Sequence, residues 1–424
     1  MSHYAVITPP LYSHQRAMEA LAFELMALGH RITFIQQPEA LANLQASGIA
    51  KYPVGELTHP EGSLARTLKL AANPGLSLLG LIDDMALTTD MLCAELPGAL
   101  EKLAVDGLIV DQMEPAGGLV AEAMGLPFVS VACALPVNRE PGLPLPVMPF
   151  DYGTDQRAQK LYKSSQRIYD WLMRTQNRAI NRHARAFGLR TRKGLHECLS
   201  PLAQISQTLP ALDFPRQALP ENFHAVGPLR KPRRHLRPQP GVSPARPMVF
   251  ASLGTLQGHR FRQFKTIARA CHSLDVQLLI AHCGGLDEAQ CDLLRDSGAT
   301  WVTDFADQYA VLQQAQAVIT HGGLNTVADA IATLTPVLAM PVAFDQPGVA
   351  ARVAWSGIGR RVSRFCSSDT LAKNLQSLLS ENRYQQHLLP MQNQLNKAGG
   401  AALAARLVEQ ALSPRFRVLA KAAG

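Results

Sequence analysis

Residues Thr320 to Gly348 read THGGLNTVADAIATLTPVLAMPVAFDQPG. An apolar run, AQAVIT, ends in His-Gly-Gly, a helix opens at once with Asn and Thr, and a second apolar run, PVLAMPV, is followed by an isolated Asp-Gln. Strand, glycine turn, helix and strand in this order make one unit of a parallel sheet. Glycines without Cβ let a ligand approach the backbone, and the N–H groups and dipole of a helix N-terminus attract an anion, phosphate in particular. On spacing alone the same residues also describe a tight turn with an Asn cap.

The pattern extends in both directions. After the basic, proline-interrupted stretch RKPRRHLRPQPGVSPARP, the strand-like runs MVFASLG, VQLLIAHC, WVTDF, AVITHGG, PVLAMPV and IGRRV each precede a helical segment. The first half alternates in the same way: HYAVITP, a helix over QRAMEALAFELMALGH, RITFIQQ, a helix over EALANLQASG, then DGLIVD, a helix from about Pro115, and PFVSVAC. We therefore expect two doubly wound, Rossmann-like parallel-sheet domains facing a central cleft. Their expected bounds are 1–227 for the first domain, 228–247 for a basic linker, 248–395 for the second domain, and 396–424 for a helical segment packing back on the first. A second glycine turn, SLGT (Ser252 to Thr255), is expected to end a strand and open a helix, so that two such turns hold one diphosphate. No G-x-G-x-x-G follows the first strand, no P-loop motif occurs, and no D-x-D offers a carboxylate pair for a metal-bound diphosphate. No metal and no cofactor are expected.

Composition agrees with two globular cores. The chain has 424 residues, 47% hydrophobic and 17% charged, against roughly 100–200 residues per domain. Its seven cysteines form no C-x-x-C pair, which suits reduced cytoplasmic thiols rather than a disulfide or zinc framework. The N-terminal MSHYAVITPPLYSH reads as a strand and not as a secretion signal. The apolar stretch Ala123–Val137 is too short to span a bilayer and reads as a buried strand. Much of the +8 formal charge lies between Arg230 and Pro247, where prolines forbid a recognition helix and aromatics are missing, so a solvated linker is expected and nucleic acid is not. A leucine-rich helical region from Leu64 to Leu103 is either core or the wall of an apolar pocket. The acidic pair Asp83 and Asp84 within it is expected on a solvated helix face.

The run from Phe305 to Gly359, FADQYAVLQQAQAVITHGGLNTVADAIATLTPVLAMPVAFDQPGVAARVAWSGIG, resembles the donor-binding signature of family 1 UDP-dependent glycosyltransferases, whose fold is GT-B. The opening PLYSHQRAMEALAFELMALGHRITFI is similar to the start of that family's acceptor domain, so the resemblance spans both halves. It implies UDP-glucose as co-substrate, with His321, Gly323, Asn325 and Thr326 on the diphosphate and Ser252 and Thr255 nearby. Gln308 matches the residue that contacts uracil, and Asp345 and Gln346 the pair that hydrogen-bonds glucose. Phe305 stands where the family has a base-stacking Trp, and Asp329 where it has a ribose-binding Glu.

In the first half, a lone His14 in a loop after the first strand is ordinarily a surface residue. The match of PLYSH to the family's catalytic loop, and of Asp111 at the end of DGLIVD to its partner carboxylate, implies a general base and its orienting group. The implied reaction is inverting glucosyl transfer to an apolar hydroxylated acceptor, a carotenoid by the wording of the whole chain. A macrolide or other aglycone is the alternative within the class; a UDP-sugar epimerase and a non-catalytic helper are alternatives outside it. The apolar run Pro74–Ile82 with nearby basic surface is expected to allow peripheral membrane contact.

Overall fold

The computed structural model describes residues 1–73, 75, 77–231 and 235–413. Its first sheet comprises β1 (His3–Ile7), β2 (Arg31–Gln36), β3 (Ala50–Pro53), β4 (Gly107–Asp111), β5 (Phe128–Ala132), β6 (Gln204–Ser206) and β7 (Phe223–Ala225), in the order β3-β2-β1-β4-β5-β6-β7. The second comprises β8 (Met248–Ser252), β9 (Gln277–Ala281), β10 (Trp301–Thr303), β11 (Ala317–Thr320), β12 (Val337–Ala339) and β13 (Gly359–Arg361), in the order β10-β9-β8-β11-β12-β13. Every described pairing is parallel. Helices cover both faces, which is why β1, β4, β5, β8 and β9 are buried at every residue and read as continuous apolar runs.

In each sheet the winding reverses once, between β1 and β4 and between β8 and β11. Crevices outside the carboxyl ends of strands at such reversals are where open α/β sheets bind ligands. Register places Ile7 beside Val110 in the first sheet and Ser252 beside Thr320 in the second. The residues after these strands therefore emerge at the two reversal points.

Several local expectations need correction. The first helix is Tyr12–Ala27, so His14 sits in its first turn and not in a loop. The helix expected over EALANLQASG closes after Pro38–Ala42. SLGT does not open a helix: turns occupy the residues after Ser252, and the helix begins only at Phe261. The linker is not wholly solvated, because Arg230 turns inward to Asp329 and to the carbonyl of Asn325; Pro232, Arg233 and Arg234 lie outside the described residues. Asp84 is buried, bonded to Arg66 at 2.7 Å and to the Thr67 hydroxyl, while Asp83 is exposed. The leucine-rich region proves to be both of the things it could be: Leu92 and Leu96 are core, while Leu81 and Met85 face the cleft.

The two sheets are tied together at the helix Gln346–Trp355. Arg352, fully buried, donates through Nε to Asp213 Oδ1 at 2.6 Å and lies 4.1 Å over the Phe214 ring. Arg216 donates to the other oxygen of Asp213 at 2.6 Å, and Trp355 meets Phe214 edge-on. Gly348 passes so close to the first half that a Cβ there would lie 1.9 Å from the carbonyl oxygen of Pro146. The chain then returns: helix Gly400–Leu412 buries Ala404, Ala405 and Val408 in the same core as Leu21 and Val129, with residues 414–424 outside the described structure.

Burial would raise the Asp213 carboxyl, but Arg352 and then Arg216 outweigh it and hold it below 3.8. The stabilisation is therefore complete above that value and disappears as pH falls through the lowered folded one. Asp213→Asn leaves Arg352 buried without a counter-charge and is expected to cost about 3–5 kcal/mol in denaturant unfolding at neutral pH. The difference from wild type should shrink in acid; a pH-independent difference contradicts the assignment.

Candidate active site

His14 and Asp111 meet at the first reversal point. The Nδ1 of His14 and Oδ2 of Asp111 are 2.7 Å apart, and both residues are buried. The other oxygen of Asp111 accepts the backbone N–H of Met113 at 2.9 Å, which fixes the carboxylate. An aspartate on Nδ1 leaves Nε2 as the ring's proton acceptor. Burial works against a charged ring here, yet the charge and hydrogen bond of Asp111, with a smaller contribution from Asp345, raise the His14 pKa above 6.5. Cys133 completes a cluster whose donor atoms lie within 4.8 Å of one another, but burial pushes its thiol up and keeps it protonated.

The second reversal point holds His321. Gly254 and Gly323 flank its ring so closely that a Cβ on either would fall 2.6 or 2.7 Å from Cε1, and Gly254 and Gly322 have φ of +78° and +86°. Only glycine meets both demands at Gly254. Burial lowers the His321 pKa to about 4, with the Ser252 backbone opposing, so the ring is neutral at neutral pH. The helix Leu324–Ala332 begins beside it with Gly323 as N-cap, earlier than the Asn cap expected, and no side chain caps it. Its first-turn N–H groups, including those of Asn325 and Thr326, supply the fixed positive pole of this wall.

The remaining expected residues divide. Ser252, Thr255, Gln308, Asp345 and Gln346 line the same cavity of about 460 Å³ as His14 and His321. Asp345 reaches across it: its Oδ2 accepts the backbone N–H of Leu135 at 3.1 Å. Gln346 uses its carbonyl oxygen to accept the N–H groups of Val342 and Ala343 at 3.0 and 2.8 Å, which orients its amide NH₂. Phe305 and Asp329 are not on the cavity wall. Phe305 is 71% exposed, and buried Asp329 accepts from Arg230 and, at 2.6 Å, from Gln308, whose oxygen accepts the Thr326 hydroxyl at 3.0 Å. Asp111 stands behind His14 rather than on the wall.

Two functional candidates escaped the sequence reading. Arg230 locks the Asp329–Gln308 network from within the supposed linker. Glu114 lines the cavity three residues after Asp111; burial and then the Asp111 charge push its pKa up to about 8, so it stands in the wall as a neutral acid. Its only sequence signal is its place before Pro115 at a helix start. Of the run expected to meet a membrane, Pro74 and Leu76 lie outside the described residues, Leu78 and Leu79 are exposed, and Ile82 is buried. Among the described residues no helix is long and apolar enough to cross a membrane.

Comparison with known proteins agrees with this geometry. Residues 6–395 match the family model described as UDP-glucoronosyl and UDP-glucosyl transferase. The chain is 56% identical over 420 residues to a zeaxanthin glucosyltransferase of Pantoea ananas, covering 97% of this chain and 96% of that one. It is 54% identical over 417 residues to a zeaxanthin glucosyltransferase of Pseudescherichia vulneris, covering 97% and 98%. Among solved structures, the kitacinnamycin glycosyltransferase superposes with a TM-score of 0.78 at 20% identity over 97% of this chain and 99% of that one. The calicheamicin glycosyltransferase CalG4 gives 0.73 at 20% identity over 97% and 98%. With two parallel-sheet domains of GT-B type and a paired His14 and Asp111 facing the His321 turn, the chain belongs to the UDP-glucoronosyl and UDP-glucosyl transferase family.

Proposed function

We propose that this protein transfers glucose from UDP-glucose to the hydroxyls of zeaxanthin, giving the mono- and then the di-β-glucoside. The observation that carries this reading is the pairing of His14 with Asp111 across one cavity from His321 and the uncapped helix. Near-complete coverage at 56% and 54% identity of relatives named for zeaxanthin selects the acceptor. Apolar side chains on the acceptor side, including Leu81, Met85 and Leu145, suit a carotenoid end group.

In this reading the acceptor hydroxyl lies against Nε2 of His14, which takes its proton as the oxygen attacks the anomeric carbon from the face opposite UDP. The configuration inverts from α to β. Asp111 stabilises the imidazolium. Charge developing on the departing diphosphate meets the N–H groups of the Leu324–Ala332 helix, His321, Ser252 and Thr255. This donor set is built for an anion, and we read the diphosphate as held without a divalent ion. Gln308 meets uracil, with Phe305 stacking from the rim. Asp329, buried behind the wall, holds Gln308 in place through its bridge with Arg230, and Asp345 and Gln346 read the glucose hydroxyls. The enzyme would work in the cytoplasm, against the membrane that dissolves its acceptor. Separating the products of UDP-glucose and zeaxanthin by polarity tests the whole reading: two successive, more polar products are expected, and a wild-type protein that turns over a macrolide or another aglycone but not zeaxanthin replaces the acceptor.

His14 must be unprotonated to accept a proton, so kcat/KM should rise with pH through a value above 6.5. His14→Ala should lower transfer by about 10²–10⁴-fold with UDP binding intact. Asp111→Asn should lower the rate comparably and also move the acid limb to lower pH, because burial, the largest influence on the ring, is then opposed only by the smaller contribution of Asp345. Near-normal transfer by folded His14→Ala, or an unmoved limb in Asp111→Asn, removes the assigned roles.

Asp345→Ala tests the sugar contact. Loss of a buried hydrogen bond of about 1–3 kcal/mol should reduce kcat/KM for UDP-glucose roughly 5- to 150-fold while UDP alone binds as before. Weakened UDP binding with normal turnover at saturation places Asp345 at the nucleotide instead.

A further inference from the structure

The helices Gln156–Leu172 and Arg174–Ala186 form a hairpin on the first domain that the reaction above does not use as a whole. Its inner side carries Tyr169, Met173 and Asn177, which line the cavity. Its outer side is unusual for a solvent-facing helix. Leu161, Ile168 and Trp171, spaced to share one face of the first helix, are 46%, 60% and 60% exposed. Arg157, Lys160, Lys163 and Arg167 border that stripe, all exposed, and none of the four is in a salt bridge among the described residues. Between residues 156 and 187 there are eight Lys and Arg against one acid, Asp170, which Arg139 neutralises. Arg174 lies over the Trp171 ring at 4.4 Å. Of the arginines on the second helix, Arg182 is taken up by Asp90, whereas Arg178 and Arg185 are exposed.

An apolar stripe ending in Trp, bordered by basic side chains, has the chemistry of an interfacial helix: the stripe enters the headgroup boundary while the bases meet lipid phosphate. We infer that the outer face of the Gln156–Leu172 helix docks the enzyme on an anionic bilayer, with the cavity wall formed by Tyr169 and Met173 on the opposite side of the same hairpin. An apolar acceptor then passes from the acyl region around one helical hairpin into the cleft without crossing water. The route to the cleft rests on the acceptor reading above; the docking itself rests only on this surface.

The experiment is flotation of the full chain with vesicles. Wild type should float with phosphatidylglycerol–phosphatidylethanolamine vesicles at low salt, be released at high salt, and ignore phosphatidylcholine vesicles. Lys160→Glu/Lys163→Glu/Arg167→Glu should lose about 100-fold or more in vesicle affinity. Ile168→Ser/Trp171→Ser should lose about tenfold or more, which separates insertion from simple charge attraction. Both variants should glucosylate detergent-dispersed zeaxanthin as wild type does, because none of the five residues lines the cavity, and both should be slowed on vesicle-embedded zeaxanthin. Undiminished flotation of either variant overturns the proposal. So does loss of flotation in Leu78→Ser/Leu79→Ser with the hairpin variants unaffected, or a wild type that ignores anionic vesicles but is retained by duplex nucleic acid through these basic residues. Inactivity of wild type on dispersed zeaxanthin sinks the acceptor reading and leaves docking to be judged by flotation.

Discussion

A guanidinium that no water reaches holds the two halves of this enzyme in register. Arg352 belongs to the helix that begins at Gln346, and its carboxylate partner belongs to the other half of the chain. Burying that charge is tolerable only with Asp213 and the Phe214 ring in place, so the helix has one seat. Once seated, Gly348 lies against Pro146 and Asp345 bonds to Leu135. Asp345 and Gln346 thereby share one cavity with His14. Their position is a consequence of the interface and not of either sheet alone.

The same dependence sets the electrostatics of the cleft. Asp111 and Asp345 act on His14 from opposite halves, and both raise its proton affinity. His321 has no carboxylate among the groups that shift it, and burial lowers its proton affinity. One imidazole is thus biased toward holding a proton and the other toward the neutral form. Environment, not residue type, divides the labour between the two.

The sequence made the double winding plain, because buried central strands must be apolar throughout and glycine turns must follow where backbone meets ligand. Ser252 and the His321 turn were legible for that reason, while His14 and Asp111 were legible only through the resemblance of PLYSH and DGLIVD to the family's catalytic loop and its partner carboxylate. The short strands β3, β6 and β7 were not, since three or four residues, some of them polar, carry no periodic signal. The helix start at Tyr12 was hidden because Leu11 gives no capping side chain. Arg230, Asp84 and Glu114 were misread or missed for one reason. Their surroundings are set by tertiary packing, and a charged residue looks solvated until that packing is known.

The return of the chain has a mechanical result. Two segments connect the halves, one leaving after Ala225 and one arriving before Gly400, and they touch: Gly400 N–H donates to Val226 O at 2.8 Å, and a Cβ on Gly227 would lie 2.8 Å from that of Ala398. A body joined to another at two adjacent points keeps rotation about the line they define and loses most twist and slide. The two crossings therefore act as a single joint, and the buried Arg352–Asp213 pair is the contact that fixes the one rotation such a joint leaves.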